Sequence, residues 1–401
     1  MKNLFNKSAL MVSVLSIVLS IGACSKKDND KKEPKLENWA IHHDDEFGGA
    51  YIDISRDDFN KLGFAFGDSI DISFSNDVKY EDIGYYSGYY VPAGQELLVG
   101  YPGYEYIKFC INYGEDIYTK HNMGVSTTAT ITLNKAKKYK DIEETLSISY
   151  SDDITKYDSK EQFANFREIK TSNIKPGLLY RGASPIDNRR NRASTVDKLL
   201  EEHNIQYDID LADVYVLGGF AAFDQVPVDY TPSLQGNFVI GEYFQTLLDA
   251  NKAIFLGMGA AYKSEDFSNK LKTTLLAILN NDGPYYIHCL EGKDRTGYVC
   301  MIIEAMCGAS YDELVDDYFI TYKNYYGIDK VKDSKKYEMI KTIHIDEMIR
   351  YAFDYDKGVN LLTANYRSTV NNYLLGIGLT QDQIDGITSK LVTNLSALPS
   401  R

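Results

Sequence analysis

The chain has 401 residues, 44% of them hydrophobic and 25% charged, a balance that excludes a disordered chain, a collagen-like fibre and a polytopic membrane protein. That length gives room for about two domains, each large enough to bury a core. With 43 Lys+Arg against 57 Asp+Glu the net charge is −14, which argues against nucleic acid as a partner and requires that any anionic substrate be caught by a local basic site.

Lys2 and Lys7 precede an apolar run over residues 9–21, and the small pair Gly22-Ala23 then meets Cys24. This is the pattern of a secretory leader, too short to span a bilayer. The order Ile21-Gly22-Ala23-Cys24 resembles a bacterial lipobox. It implies cleavage before Cys24, lipidation of its thiol, and an extracytoplasmic protein anchored to a bacterial membrane, at the outer membrane or the cell surface. Residues 1–23 are read as the leader and 24–38 as the lipidated cysteine with a charged tether, nearly free of apolar side chains over 25–35. The folded part is expected to start near Trp39.

Residues 39–145 are dense in Tyr, Gly, Val, Ile and Thr, with alternating runs at 69–74 (SIDISF) and 128–133 (TATITL). Such alternation predicts half-buried strands, and the resemblance between the two runs hints at a degenerate repeat. The segment reads as a small β-rich, barrel-like domain. Within it, His42-His43-Asp44-Asp45-Glu46 is read as a solvated run rather than a metal site, because adjacent residues of an extended chain point to opposite faces. Of the other cysteines, Cys110, Cys300 and Cys307 are read as small buried hydrophobes, since no Cys-x-x-Cys occurs.

From 156 to 401 strands alternate with helices. Residues 205–211 and 283–288 predict buried strands, 267–279 and 298–306 predict helices, and the end is mostly helical, with a stop at Gly376-Ile377-Gly378 and a new start capped by Thr380. The alternation predicts an α/β fold with a mostly parallel central sheet flanked by helices.

The chemistry concentrates in His288-Cys289-Leu290-Glu291-Gly292-Lys293-Asp294-Arg295-Thr296-Gly297, between a predicted strand and a predicted helix. There a loop can wrap one tetrahedral oxyanion, with the amides of residues 290–294 pointing inward and the positive helix end facing the same centre. Arg295 in the first helical turn can hold two phosphate oxygens through its planar fork. The same field stabilises a thiolate, which places Cys289 as a nucleophile toward phosphorus. A Walker A reading fails, because it needs Gly at Ile287 and Ser or Thr at Asp294.

This Cys-x5-Arg-Thr loop resembles the signature of protein tyrosine and dual-specificity phosphatases. The fuller string is similar to that of bacterial members which also act on phosphoinositides. Residues 163–167 (FANFR), 179–185 (LYRGASP) and 210–213 (DLAD) come in the expected order before the loop, and Asp317-Tyr318 with 322–327 follow it. The resemblance implies a cysteine-phosphatase fold over about residues 160–395. It implies that Cys289 forms the phosphocysteine intermediate, that Arg295 and the loop residues Leu290, Glu291, Gly292 and Lys293 bind the phosphoryl group, that Thr296 bonds the leaving sulfur and that His288 orders the loop. Two departures bear on substrate choice: Gly182 stands where many relatives have Ser, and Ala212 where many have Arg.

A lysine at 293 suggests a substrate with more than one phosphate, against the alternative of a solvent-facing side chain. For the general acid, Asp294 is the first candidate, Asp213 the second and Asp266 the third. Arg181 is expected to bind substrate, Arg192 to take a structural or substrate-contacting role, and Arg189 and Arg190 either add local positive field or form a solvated basic turn. No metal or organic cofactor is expected, because Arg295 and the loop amides supply the electrostatics of phosphoryl transfer. The predicted function is a cysteine-dependent phosphomonoester phosphatase acting on phosphorylated protein, lipid or inositol. The alternatives are an inositol polyphosphate phosphatase, a sulfurtransferase or arsenate reductase using the same anion cradle, and an inactive surface module that binds phosphorylated ligands.

Overall fold

The computed structural model describes residues 33–400 apart from 46, 103, 172, 217–218 and 223–236, so the leader and Cys24 lie outside the described residues. Seven strands close the N-terminal barrel: β1 Lys35–His43, β2 Ala50–Ile52, β3 Ser69–Phe74, β4 Lys79–Tyr86, β5 Glu96–Val99, β6 Ile107–Ile111 and β7 Thr128–Lys135. Their order is β1-β2-β6-β5-β4-β3-β7, with every neighbouring pair antiparallel except β4 with β5. The barrel begins ahead of Trp39, because Leu36 on β1 is already buried in its core.

Strand alternation explains the barrel. On β3, Ile70, Ile72 and Phe74 point into the core while Asp71 and Ser73 stay half-buried, and Ile72 pairs with Ile131 on β7. The two runs that resemble each other are therefore neighbours. Phe109 on β6 fills the centre, its ring 5.8 Å from Phe74 and 5.0 Å from Tyr80.

The run at 42–46 departs in part from the solvated reading. Asp44 is buried, and its carboxylate accepts a hydrogen bond from the ammonium of Lys108, itself only 1% exposed. Lys108 lies over the rings of Phe47, Tyr51 and Tyr89. His43 bonds Asp116 at 2.7 Å and stacks on Tyr118. A charge buried this deeply persists only when paired, so Asp44 and the half-buried His43 belong to the barrel's internal polar structure, while His42 and Asp45 stay in solvent as the sequence predicts.

The second half carries β8 Arg167–Glu168, β9 Leu179–Gly182, β10 Tyr207–Asp210, β11 Asp213–Val216, β12 Gly219–Ala222, β13 Ala253–Phe255 and β14 Tyr285–His288. Five form one sheet in the order β13-β10-β14-β9-β8, and β11 pairs with β12 in a separate hairpin. The pairings β13–β10, β10–β14 and β14–β9 are parallel, and β8 joins β9 antiparallel at the edge. Helices cover the sheet, including Ala193–Glu202, Glu265–Asn280 started by a Ser264 cap, Tyr311–Tyr326 and Gln381–Leu391, the last two opened by capping boxes at Ser310 and Thr380.

β14 lies in the middle, and its last residue His288 is level with Asp210 on β10 and Gly182 on β9. The chain then turns into the helix Asp294–Met306, whose side chains are buried from Thr296 onward. This row at the carboxyl ends of parallel strands is where open α/β sheets place their sites. The barrel and the α/β part belong to one compact unit over residues 34–401.

Candidate active site

The loop from Cys289 to Asp294 is held from behind by its carbonyl oxygens. The Leu290 carbonyl accepts from the Ser184 amide at 3.1 Å. That of Glu291 accepts from the Tyr325 hydroxyl at 2.6 Å and from Asn165 Nδ2 at 3.2 Å. That of Gly292 accepts from Arg181 Nη2 at 3.0 Å and from Asn165, and that of Lys293 from Arg181 at 3.4 Å. A trans peptide is planar, so its N–H points opposite to its carbonyl. Tying four consecutive carbonyls outward therefore turns the amides of Glu291, Gly292, Lys293 and Asp294 toward the concave side, an anion-binding nest at a helix N-terminus.

Two glycines make this packing possible. Gly292 has φ +65, and a Cβ there would lie 2.1 Å from the carbonyl oxygen of Gly182. Gly182 is equally confined, since its own Cβ would meet the Tyr286 hydroxyl at 2.5 Å and the Ala164 carbonyl oxygen at 3.1 Å. The glycine found where relatives have serine is thus part of the seat on which the loop rests.

Under the seat lies a buried charge network. Arg181 Nη1 bonds Asp317 Oδ2 at 2.5 Å, Arg167 Nε bonds Asp317 Oδ1 at 3.0 Å, and Arg167 also donates to Asn165 Oδ1. Burial raises the Asp317 carboxyl, but the two guanidiniums outweigh it and hold it down at about 2. Two cations against one carboxylate leave one net positive charge below the loop.

Cys289, at the end of β14, is 3% exposed. Beside it, His288 Nε2 lies 3.1 Å from Asp208 Oδ1 and Nδ1 lies 3.4 Å from the Cys289 carbonyl oxygen. Burial alone would lower the imidazole, yet the carboxylates of Asp208 and Asp210 raise it to about 9, so His288 is a cation at neutral pH. Arg295 occupies the first turn of the helix, with Nη1 on the Met258 carbonyl at 2.9 Å. The Thr296 hydroxyl is buried and bonds no group among the described residues.

Several expected roles change. Arg181 is not a substrate ligand: at 1% exposure its fork is spent on Asp317 and the loop carbonyls. Arg192 is not one either. It is 1% exposed, donates to the Phe163 and Ser151 carbonyls and to Asp152, and lies between the rings of Tyr150, Phe163 and Tyr325. Both arginines act through the loop. Arg189 pairs with Asp187, and Arg190 with Glu291 and Asp152. Glu291 also accepts from the Tyr150 hydroxyl. Lys293 directs its ammonium to the Tyr326 hydroxyl at 3.3 Å and over the rings of Tyr322 and Tyr326.

The three acid candidates separate. Asp266 sits at the exposed start of its helix, paired with Lys270. Asp213 is fully buried, and burial with the nearby carboxylates of Asp210 and Asp187 raises it far above the ordinary carboxylate range. Asp210 Oδ2 and both oxygens of Asp213 find no donor among the described residues, and Asp213 is closed off from any leaving group at the surface. Asp294 remains, with Oδ1 accepting from the Tyr113 hydroxyl at 2.7 Å.

Motif reading missed the supporting groups. Asn165, Arg167, Asp317 and Tyr325 all lie in stretches quoted for the resemblance, where their order was visible but their joint grip on one loop was not. Nothing in the sequence singled out Tyr113 or Asp208.

A model described as the tyrosine phosphatase family matches residues 159–393. Among solved structures, the chain is similar to the core catalytic domain of the PP-IP phosphatase Siw14 from S. cerevisiae in complex with citrate, at 20% identity over 47% of this chain and 90% of that one, with a TM-score of 0.25. A second structure of the Siw14 catalytic core gives 20% identity, 47% and 89% coverage, and a TM-score of 0.25. No curated protein matches the chain.

Two predictions arise from this geometry. Gly292→Ala forces the loop off Gly182 and is expected to cost about 2–4 kcal/mol in urea unfolding, with loss of anion binding; an unchanged midpoint would refute the close approach. For His288 the folded value of about 9 exceeds the unfolded 6.5, so its stabilisation is full below pH 6.5 and is lost as pH rises through 9. The stability gap between wild type and His288→Gln should therefore narrow by on the order of 3 kcal/mol between about pH 6 and pH 10, read from unfolding curves at each pH.

Proposed function

The chain belongs to the tyrosine phosphatase family, and from that premise we propose that it hydrolyses phosphomonoesters through a phosphocysteine intermediate. The observation that carries the proposal is the outward tie of four successive loop carbonyls, which turns four amides toward the concave side of the loop that runs from Cys289 to Arg295. An oxyanion with three equatorial oxygens fits such a nest and the Arg295 fork.

In the first step the Cys289 thiolate attacks phosphorus, the phosphorus–oxygen bond to the alcohol or phenol breaks, and the leaving oxygen takes a proton from Asp294. In the second, Asp294 removes a proton from water, the resulting oxygen attacks phosphorus, and the sulfur leaves as thiolate. Atoms and charge balance with water as the only co-reactant. The loop amides and Arg295 hold the equatorial oxygens in both steps, with the net positive network of Arg167, Arg181 and Asp317 below them. His288 as a cation stabilises the sulfur anion, and the buried Thr296 hydroxyl bonds it when it leaves. Phosphotyrosine is the principal substrate of this reading, with phosphoserine, phosphothreonine and phosphoinositides as further phosphomonoesters.

The address is part of the proposal. The leader over 1–23 and a lipidated Cys24 place the enzyme on the outer side of a bacterial membrane, facing phosphoesters outside the cytoplasm.

Phosphate release by the chain from Pro34 onward is expected on an aryl phosphate and a phosphotyrosine peptide in the presence of EDTA. Cys289→Ser should abolish it and Arg295→Lys should lower it by about 100-fold or more. A phosphoinositide and inositol hexakisphosphate in the same panel rank the substrates, and turnover that survives Cys289→Ser refutes the mechanism. For the address, the full chain made in a bacterial host should sediment with membranes and Cys24→Ala should release it; wild-type protein found in the soluble fraction would rule the anchor out.

A further inference from the structure

Tyr113 does not belong to the α/β part at all. It follows β6 in the barrel, well before residue 159 where the family match begins, yet its hydroxyl donates to Asp294 Oδ1 at 2.7 Å. Its backbone is in the left-handed region, φ +51, which an aromatic residue adopts only against steric resistance. Two contacts besides that bond hold it there. The ring stacks on Tyr262 with centroids 4.8 Å apart and planes 15° apart, Tyr262 in turn lies 4.5 Å from Tyr298, and the Tyr113 carbonyl accepts from the Tyr351 hydroxyl at 2.8 Å.

We propose that Tyr113 is a positioning residue for Asp294, so that the barrel supplies a group the phosphatase site needs to deliver its proton. The inference rests on the phosphatase reading and on Asp294 as the acid. Asp294 stands in the first turn of its helix, and rotation about its Cα–Cβ and Cβ–Cγ bonds sets where its carboxyl oxygens point. A hydrogen bond to Oδ1 fixes that rotation and leaves Oδ2 to carry the transferred proton. Burial and the Asp294 charge push the Tyr113 phenol well above its ordinary range, so it remains a donor throughout any practical assay. Strain at a residue whose side chain ends on the acid is the pattern expected where backbone conformation serves a site.

The test removes one oxygen. Tyr113→Phe keeps the ring on Tyr262 and deletes only the donor. Proton delivery matters most when the leaving group is basic, so kcat/KM is measured on phenyl phosphate and on 4-nitrophenyl phosphate for wild type, Tyr113→Phe, Asp294→Asn and the double variant. Tyr113→Phe is expected to lower kcat/KM on phenyl phosphate by roughly ten-fold and on 4-nitrophenyl phosphate by no more than about two-fold, and to add nothing to Asp294→Asn. A general loosening of the fold would lower both substrates alike. Equal losses on the two esters, no loss on either, or multiplicative effects in the double variant would overturn the inference, while wild-type turnover abolished by Cys289→Ser would still uphold the phosphatase. Absence of Cys289-dependent turnover in wild type would instead overturn the phosphatase reading, and this inference with it.

Discussion

A peptide loop can face an anion with its amides only if its carbonyls have somewhere else to go. An unpaired buried carbonyl costs about 1–3 kcal/mol, so four left bare would undo the loop. Here the four are taken by the Ser184 amide, the Tyr325 hydroxyl, Asn165 and Arg181. Most of the α/β part can be read as the means of bringing those donors together: β9 ends on Arg181 and Gly182, the turn before β8 supplies Asn165, and the helix Tyr311–Tyr326 supplies Tyr325 and Asp317. Arg192, remote in role from any substrate, packs on Tyr325 and so steadies one of the donors.

Charge is arranged on the same plan. A lone guanidinium below the loop would be costly to bury, and one carboxylate for one arginine would cancel its field. Asp317 serves two arginines, which satisfies both forks and leaves a surplus positive charge. The neighbouring Glu304 is pushed well above the ordinary carboxylate range by burial and by Asp317. Beside Cys289, Asp208 and Asp210 keep His288 charged.

What could be read from sequence was what lies contiguous in it. The anion loop occupies ten consecutive residues, and the barrel strands announce themselves because Ile70, Ile72 and Phe74 face in while Asp71 and Ser73 face out. The helix carrying Arg295 starts at Asp294, ahead of the apolar run at 298 that marked it, since its first turn is polar for chemical reasons. Sequence cannot tell Arg181's role, because an arginine bound to carbonyls and one awaiting phosphate are the same letter. Asp44 looked solvated because its partner Lys108 is 64 residues away, and Tyr113, one of 33 tyrosines, meets Asp294 across 181 residues.

That last contact bears on why a barrel accompanies this catalytic part. Holding an aromatic residue at positive φ costs on the order of 1–3 kcal/mol, and a hydrogen bond to a carboxylate returns roughly 1.5–3 kcal/mol. The two nearly balance, so the bond alone does not fix Tyr113 in place. The stack on Tyr262 and the bond from Tyr351 to its carbonyl tip the balance, and both come from the α/β part. The strained conformation is therefore a property of the assembled molecule rather than of the barrel, and the orientation of Asp294 is linked to the docking of a segment that the family match does not include. Whatever loosens the barrel on its neighbour withdraws the Tyr113 hydroxyl from Asp294.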